Sequence, residues 1–520
     1  MQATATTLCL VGLEAHPVRV EVDSGRGPAS FSMVGLAEAS VRESRVRVRS
    51  ALQQLGVDLN EYVITVNLAP ADLRKTGGAY DLAIAVATLA ALGKVPADAL
   101  AGVAFLGELS LSGALHAVRG VLPALCGAAA QGIRRAIVPR DNGGEAAAVC
   151  SVETRVAADI AAVYAHLAKG APLPAAAARG DAAPLLPSNV DLSEVRGQET
   201  ARRALEVAAA GGHNLLMIGP PGTGKTMLAR RLPSILPPLT AEEALEVTAV
   251  HSVAGLLSAE RGLCVERPFR APHHTVTEAG LVGGGDPLRP GEVSLAHHGC
   301  LFLDELLEFK RSVVEALRQP LEDGEINLSR ARGRARFPAR PALVAAVNPC
   351  PCGYAGDRGG RCQCGQERVR AYRARLSGPL IDRLDIHVAL PPVDLEGLHA
   401  RGRGEASAEV RRRVTAGRCV AEERYRRKET SAATNAAMSA RDLERVAWPD
   451  LAGTNLLARA VERLGLSARG HGKVLRVART VADLDGSDAV RAAHVLEAIQ
   501  ARLLDRGLGQ RETAELEAAS

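Results

Sequence analysis

The sequence has few aromatic residues, no long apolar run and no large excess of charge. Phe, Trp and Tyr together make up 2% of the 520 residues, so aromatic stacking can contribute little to the binding of nucleic-acid bases. No run of about 18 apolar residues occurs, which excludes a membrane-spanning helix. The formal net charge of +5 does not by itself indicate a nucleic-acid partner.

A secretory signal and a disulfide framework are also missing. The first residues, MQATATTLCLVGLEAHPVRVEV, lack a basic leader and a clear cleavage site, and they predict a strand that enters a fold. Apart from one cluster of four, the ten cysteines are scattered singly, as expected for reduced thiols. We therefore expect a cytoplasmic protein that is not associated with a membrane.

The composition is otherwise that of a globular protein. Hydrophobic residues make up 47% and charged residues 23% of the chain, and this length predicts roughly two to four domains. Residues 171–190, rich in Ala and Pro, predict an extended linker. Before it, residues 1–170 predict a compact α/β domain. After it, residues 191–393 predict a mixed α/β domain, and residues 394–510 are nearly all helical in pattern.

One short stretch identifies a nucleotide-binding site. Between a predicted strand and a predicted helix lies GPPGTGKT, which fits the phosphate-binding pattern G-x-x-x-x-G-K-[ST]. In this context backbone N–H groups can point at phosphate oxygens, Lys225 can reach the β- and γ-phosphates, and the Thr226 hydroxyl can reach a Mg²⁺ ion. The predicted nucleotide-binding residues are Gly219, Pro220, Pro221, Gly222, Thr223, Gly224, Lys225 and Thr226.

Two apolar segments further along the chain end in polar side chains. GCLFLDELLEF predicts a strand that ends at Asp304 and Glu305, where one carboxylate can hold Mg²⁺ and the next can polarise the attacking water. ALVAAVNPC predicts a strand that ends at Asn348, placed to orient this water. The segment LSGPLIDRLDIHV carries Arg383, for which a local salt bridge and an arginine finger that serves a neighbouring subunit are both open.

In this order, the phosphate loop, the LFLDE strand, the Asn-ended strand and GPLIDRLD resemble the Mg-chelatase branch of the AAA+ ATPases. The segments FRAPHHTVTEAGLVGGGDPLRPGEVSLAHHG, NPCPCGY and SARGHGKVLRVARTVADLDG extend the resemblance to the YifB/ComM group of competence-associated, Mg-chelatase-like proteins, over essentially the whole chain. The resemblance implies an AAA+ P-loop ATPase core with a C-terminal helical lid, ATP and Mg²⁺ as cofactors, and a homo-hexameric ring with ATP between subunits.

The resemblance also implies roles for individual residues. Lys225 and Thr226 would hold phosphate and Mg²⁺, Asp304 and Glu305 would serve the metal and the water, and Asn348 would sense the nucleotide. Arg383 would be the finger acting in trans. In the lid, Arg476 would be the second sensor and Arg469 a further contact.

The N-terminal segment LRKTGGAYDLAIAVATLAAL resembles the Lon-protease fold around its serine nucleophile. Aligned on Lys75 and Gly77, the position of this serine holds Ala79, which has no hydroxyl to attack a peptide. We therefore expect a Lon-protease-like α/β domain without protease activity, used for ring assembly or contact with the substrate. A generic βα unit is the alternative.

The segment CPCGYAGDRGGRCQC brings four thiols together as C-x-C…C-x-C: Cys350, Cys352, Cys362 and Cys364. Four thiolates at this spacing suit a tetrahedral structural Zn²⁺, although C-x-x-C is the more usual knuckle. Reduced surface thiols and a redox disulfide are the alternatives. A metal here would brace the loop that carries Asn348.

The segment SRARGRARFPAR is rich in Arg and contains no acid. A period of two places Arg330, Arg332, Arg334 and Arg336 on one face of a ribbon, with Gly333 available for a turn. A solvated hairpin would account for the pattern, but we favour contact with the phosphate backbone of DNA. The helix at 410–428 is also basic, and its interspersed Glu residues favour a solvated face.

The sequence thus predicts an ATP-driven motor, and the resemblance adds a DNA helicase that promotes branch migration on single-stranded or branched DNA during recombination in natural transformation. Recombination proteins are then expected partners. A chelatase motor that drives Mg²⁺ into a porphyrin shares the core but not the Arg segment, the Cys cluster or the front domain. An ATP-dependent protease is disfavoured by Ala79, and a scaffold that uses ATP only for assembly is disfavoured by Glu305, Asn348 and Arg383.

Overall fold

The computed structural model describes residues 1–35, 38–178, 190–257, 262–330, 333–355, 360–376, 378–391 and 404–502. Their architecture is mixed α/β, as predicted, with two main sheets and a group of helices at the C-terminal end. Arg332, residues 179–189 of the predicted linker, and residues 394–403 and 503–510 of the predicted lid lie outside the described residues. Within the described ranges, every helix is too short or too polar to cross a bilayer.

The described residues of the N-terminal region, 1–35 and 38–178, contain nine strands and six α-helices. The strands are β1 (Gln2–Val11), β2 (Glu14–Arg26), β3 (Ser30–Val34), β4 (Tyr62–Ala69), β5 (Val103–Phe105), β6 (Glu108–Leu109), β7 (Leu115–His116), β8 (Arg135–Pro139) and β9 (Glu153–Ala157). The helices are α1 (Ala39–Arg42), α2 (Ser44–Gln54), α3 (Asp81–Ala91), α4 (Val121–Ala130), α5 (Gly143–Ala146) and α6 (Ile160–Lys169).

Seven of these strands form one mixed sheet, in the order β3-β4-β2-β1-β5-β8-β9. Helix α3 packs against β1 and β2, and every one of its residues is buried. Its sequence, DLAIAVATLAA, has no continuous polar face, which is typical of a helix enclosed on all sides. Small aliphatic side chains therefore build this core.

The first part of the predicted linker belongs to this sheet. The N–H of Val156 donates to Pro174 O at 2.9 Å, and the N–H of Ala176 donates to Thr154 O at 2.9 Å. Leu173 is buried. The prediction of a linker was wrong for residues 171–178, because the extended chain pairs with the exposed edge of β9 and Leu173 anchors it in the core.

The central region, residues 190–391, contains nine strands and nine helices within its described parts. The strands are β10 (Leu215–Ile218), β11 (Phe269–Arg270), β12 (Gly283–Gly284), β13 (Arg289–Pro290), β14 (Cys300–Leu303), β15 (Glu325–Arg330), β16 (Gly333–Pro338), β17 (Ala342–Val347) and β18 (Ile386–Ala389). The helices are α7 (Glu199–Gly211), α8 (Lys225–Ile235), α9 (Ala241–Ala254), α10 (Glu278–Val282), α11 (Glu292–Leu295), α12 (Arg311–Ala316), α13 (Arg318–Asp323), α14 (Gln366–Arg373) and α15 (Gly378–Ile381).

Five of these strands form a parallel sheet in the order β11-β14-β17-β10-β18. The strands are short and apolar, and all four residues of β14 are buried, as expected for a parallel sheet covered on both faces. Since β14, β17 and β10 are neighbours and run in the same direction, the residues that follow them meet at one edge of the sheet.

The C-terminal region is helical, with α16 (Ser407–Arg426), α17 (Ala440–Val446), α18 (Leu451–Leu464), α19 (Ala468–Leu484) and α20 (Ala492–Gln500). Helix α16 packs against α7 and α8 of the central region. Its Arg413 lies 2.5 Å from a carboxylate oxygen of Glu206, and Arg418 donates to Ala209 O at 2.9 Å. The prediction of a solvated face was therefore wrong for these two side chains, which attach the helix to α7 of the central region.

Candidate nucleotide-binding site and its surroundings

The loop from Gly219 to Thr226 joins β10 to α8. Gly222 and Gly224 have φ values of 81° and 89°, in the left-handed region that favours glycine. A Cβ atom added to either would meet no atom within 4 Å. The loop thus leaves an open cradle at the N-terminus of α8, where backbone N–H groups and the helix dipole attract anions.

Lys225, the first residue of α8, is held inside this loop. Its ammonium donates to Gly219 O at 2.6 Å, to Pro220 O at 2.8 Å and to Asn348 Oδ1 at 3.2 Å. Burial lowers the pKa of Lys225, and the nearby carboxylates of Asp304 and Glu305 oppose this effect. The structure therefore brings together Lys225, in the segment after β10, and Asn348, which follows the neighbouring strand β17.

The two acids after β14 face the same loop. Thr226 Oγ1 donates to Asp304 Oδ2 at 2.7 Å, and the N–H of Glu305 donates to Asp304 Oδ1 at 3.0 Å. Glu305 has a φ of 52°, which is uncommon and costly for a residue other than glycine. Its side chain is 53% exposed, so it is accessible to solvent beside the cradle.

This arrangement suits a nucleotide with a divalent cation. The Thr226 hydroxyl and the Asp304 carboxylate are hard oxygen donors of the kind that Mg²⁺ prefers. The exposed Glu305 carboxylate can accept a proton from water, and the Asn348 amide can hold that water by a hydrogen bond. The residues present therefore fit ATP with Mg²⁺.

The structure places Arg383 against helix α13. Its guanidinium forms an ion pair with Glu322, and Nε donates to Arg318 O at 3.2 Å. The two acids nearest in sequence pair elsewhere: Asp382 lies 3.8 Å from Arg469, and Asp385 lies 3.0 Å from Lys473. The salt bridge considered for Arg383 thus exists, but with an acid 61 residues away.

Arg476 lies on α19 and is partly buried. Its Nε and Nη2 atoms donate to Met438 O at 2.9 and 2.6 Å. Burial lowers its pKa. In the single chain, Arg476 therefore binds the segment before α17.

Sequence reasoning missed two features of this region. His274 follows β11, and its Nδ1 lies 4.0 Å from the Glu305 carboxylate. Asn214, just before β10, accepts the N–H of Leu343 at 3.0 Å and donates to Arg383 O at 2.9 Å, so it joins three strands. The adjacent histidines His273 and His274 were a signal for the first, whereas nothing local marks the second.

The four clustered cysteines converge directly after Asn348. Cys350 Sγ lies 3.3 Å from Cys352 Sγ and 3.8 Å from Cys362 Sγ, and the Sγ atoms of Cys352 and Cys362 are 3.7 Å apart. The Sγ atoms of all four cysteines lie within 4.8 Å of one another. A tetrahedral Zn²⁺ with Zn–S bonds of about 2.3 Å requires sulfur separations of about 3.8 Å. A hydrogen bond from the N–H of Tyr354, followed by the Cys350 thiol, lowers the pKa of Cys352 to about 6. The four thiols therefore fit a structural zinc site.

The cysteine segment contacts the phosphate loop. Gly353 has a φ of 85°, and a Cβ atom added to it would lie 2.6 Å from Pro221 Cδ. Only glycine fits at this approach. The ordering of the cysteine segment is thus linked to that of the loop at Pro221 and of Asn348.

A second group of possible metal ligands is formed by Glu246, His297 and His298. The Nε2 atoms of both histidines lie 2.9 and 2.8 Å from Glu246 Oε2. His297 Nδ1 accepts the N–H of Arg340 at 3.1 Å, so a neutral His297 carries its proton on Nε2. The lone pair that a metal would need is therefore absent, and the group is a hydrogen-bonded cluster.

The predicted arginine ribbon is an antiparallel hairpin of β15 and β16, here named the arginine hairpin. Arg330 pairs with Gly333, and Ser329 pairs with Arg334. Residues directly opposite each other share a face, so Arg334 and Arg336 lie on one face and Arg330 on the other. The prediction of a single face was wrong for Arg330, because Gly333 is not in a turn but pairs with Arg330 as the first residue of β16. Arg336 also forms an ion pair with Glu325.

In the N-terminal region, Ala79 lines a cavity of about 430 Å³ together with Gly77, Gly78 and Glu108. Lys75 is 0% exposed and donates to Pro70 O, and burial lowers its pKa. Position 79 has no hydroxyl, so a serine-type acyl transfer has no nucleophile at this position.

Comparison with known proteins adds three family matches. Residues 191–398 match the family described as magnesium chelatase, subunit ChlI. Residues 20–142 match subunit ChlI of Mg-chelatase, and residues 404–502 match the C-terminal part of that subunit.

Some individual relatives cover nearly the whole chain, and others cover part of it. The YifB protein of Salmonella typhimurium is 42% identical over 506 residues, which is 97% of each chain. The competence protein ComM of Haemophilus influenzae is 42% identical over 503 residues, which is 95% of this chain and 96% of the relative. The magnesium-chelatase 38 kDa subunit of Rhodobacter capsulatus is 28% identical over 323 residues, which is 58% of this chain and 83% of the relative.

Proposed function

The chain belongs to the YifB/ComM family of Mg-chelatase-like proteins, and from this premise we propose that it is an ATP-driven motor that acts on DNA. AAA+ membership suggests an ATPase that works as an oligomer, with ATP and Mg²⁺ as cofactors. The observation that carries the proposal is the convergence of a phosphate loop, two acids and one amide at a single sheet edge.

Each residue at this edge has a chemical role. When bound, ATP supplies the γ-phosphoryl group and Mg²⁺ neutralises its charge. Lys225 would donate to the phosphate oxygens of bound ATP, and Thr226 and Asp304 would hold the cation. Glu305 takes the proton of the attacking water, which Asn348 orients.

Two arginines complete the site in a hexameric ring. Arg383 leaves Glu322 and neutralises developing charge at the nucleotide of a neighbouring subunit, and Arg476 senses the nucleotide from the lid. This layout assumes the division expected from the sequence: residues 1–170 as a Lon-protease-like domain, 191–393 as the ATPase core and 394–510 as the lid. The contacts of Arg469 and Lys473 with Asp382 and Asp385 support coupling of the lid to the Arg383 segment.

The proposed substrate is single-stranded or branched DNA, on which the motor moves a branch point during recombination of taken-up DNA. The relative named competence protein supports this choice, and so does the exposed arginine hairpin. The four-cysteine cluster would hold Zn²⁺ and brace the loop at Asn348. A chelatase motor is the second candidate, supported by the similarity to the 38 kDa chelatase subunit over part of the chain.

The experiment that separates the two candidates is ATP hydrolysis measured without DNA and with single-stranded, duplex and branched DNA. A DNA motor should hydrolyse ATP several-fold faster with at least one of these. The logarithm of its binding constant for DNA should fall linearly with the logarithm of the salt concentration. Unchanged hydrolysis, together with no DNA binding in a slowly hydrolysed ATP analogue, would move the proposal to a protein or porphyrin-pathway substrate.

A further inference from the structure

The turn between β1 and β2 contacts the arginine hairpin. The turn consists of Gly12 and Leu13, and Gly12 has a φ of 66°. A Cβ atom added to Gly12 would lie 3.1 Å from Ala335 Cβ, 3.2 Å from Arg336 O and 3.3 Å from Arg336 N. Any side chain here would adopt a strained backbone and press on β16, so the contact is fitted to glycine.

The rest of the turn is packed into the same place. Leu13 packs against the apolar cluster that contains the inner face of the hairpin: Ile326, Leu328, Ala335 and Phe337. Helix α9 packs against β16 and against α4 of the N-terminal region. The N–H of Gly120 also donates to Ser252 O on α9, at 3.3 Å. The turn, the hairpin and α9 therefore form one packed unit.

We infer that the β1–β2 turn is a positioning element that fixes the arginine hairpin for DNA. Through the backbone of Arg336, Gly12 sets where β16 lies, and β16 carries Arg334 on its exposed face. This gives the N-terminal region a part in the response to DNA. The consequence for DNA rests on the proposed function, whereas the effect on the hairpin does not.

The test compares two glycine variants in the full-length protein. Gly12→Ala adds a methyl group against Ala335 and Arg336. Gly93→Ala is the matched control. Gly93 has a φ of 69°, in the left-handed region like Gly12, and an added Cβ atom would meet nothing within 4 Å. Both variants place a side chain at a similar positive φ, and only in the first does the added methyl group meet the hairpin.

We expect Gly12→Ala to lower DNA-stimulated ATP hydrolysis several-fold relative to Gly93→Ala, with equal basal hydrolysis. Amide exchange at 325–338 should be faster in Gly12→Ala alone. Equal amide exchange at 325–338 in the two variants would overturn the inference, whether or not DNA-stimulated hydrolysis differs between them. Faster exchange with unchanged stimulation would show that the turn holds the hairpin but that the hairpin does not act on DNA, which would overturn the DNA part of the inference. If the wild type is not stimulated by DNA, the proposed function fails, and the exchange data still decide whether the turn positions the hairpin.

Discussion

Both sheets of this protein carry a glycine-containing turn that leads into a helix and lies beside a buried lysine. In the N-terminal region, Lys75 is 0% exposed and donates to the carbonyl of Pro70. In the central region, Lys225 is 8% exposed and donates to the carbonyls of Gly219 and Pro220. Burial lowers the pKa of both ammonium groups.

The difference lies in what the rest of each fold brings to the lysine. Lys225 meets Asn348 from another strand, and Asp304 and Glu305 stand beside it. Lys75 has Cys9 as a neighbour, and the adjacent cavity is lined by Ala79. A buried lysine near a glycine turn is thus a feature of packing, and chemistry depends on groups delivered by neighbouring strands.

The largest effect is expected at Arg383, which would extend the central site across a subunit interface. Arg383→Ala should lower kcat by about 10³-fold or more and spare nucleotide binding, since an arginine finger acts on transition-state charge. Lys225→Ala should be inactive because it binds nucleotide poorly. Mixed subunits of the two variants should regain part of the activity, because some interfaces then contain both groups. A mixture as inactive as each variant alone would contradict action in trans.

Glu305→Gln should retain ATP binding and lower turnover by about 10²-fold or more, because the amide cannot take a proton from water. Single-turnover hydrolysis and equilibrium binding of a fluorescent ATP analogue would measure the two steps separately. Glu308→Gln, close by in sequence, is the control and should hydrolyse ATP normally. Near-normal hydrolysis by Glu305→Gln would refute the assignment.

A direct comparison of the two lysines uses the same substitution. Lys225→Met should weaken ATP binding by about tenfold or more, since it removes a charge-assisted hydrogen bond to phosphate. Lys75→Met should change ATP affinity less than about twofold, because nothing near Lys75 matches a phosphate site. Isothermal titration of both variants would measure this contrast. Equal losses would mean that the N-terminal region has a part in nucleotide binding.

The cysteine cluster belongs to the central region alone, and it should make that region sensitive to metal removal. We expect about one zinc per chain by elemental analysis, as for a four-thiolate site. Replacing Cys350 and Cys352 with Ser should speed amide exchange at 348–355, because zinc binding stabilises the fold around it. Replacing the scattered Cys126 and Cys150 with Ser is the control. Protein purified without a chelator and free of zinc would end the proposal.

The smallest effect is expected at Lys75. Its pKa is lower in the folded protein than in the unfolded chain, so the unfolded state binds more protons as the pH approaches about 10.4, and stability should rise with pH in this range. Urea unfolding from pH 7 to 10 should therefore show the wild type gaining stability relative to Lys75→Met. A difference that does not vary with pH would mean that burial does not perturb Lys75.

The parts of the site that are contiguous in sequence were predictable, and the parts that depend on distant pairing were not. β10, the phosphate loop and α8 form one strand–loop–helix unit, so the motif fixes their arrangement locally. The partnership of Arg383 with Glu322 joins residues far apart in sequence, and no periodicity encodes it. Arg330 was placed on the wrong face because Gly333 was taken for the turn, whereas Gly333 pairs with Arg330. A shift of the pairing by one residue moves the side chains of a strand to the opposite face of the hairpin. The segment 171–178 was taken for a linker because pairing with the edge of β9 leaves no pattern in its composition.

The central claim is that hydrolysis at the phosphate loop moves DNA. The direct measurement is the release of a labelled strand from a branched DNA by purified protein with ATP, beside Glu305→Gln as the matched inactive motor. We predict release by the wild type that requires ATP and Mg²⁺, and none by Glu305→Gln although it binds the same DNA. Vigorous ATP hydrolysis by the wild type with no strand release, or equal release by both proteins, would contradict this account.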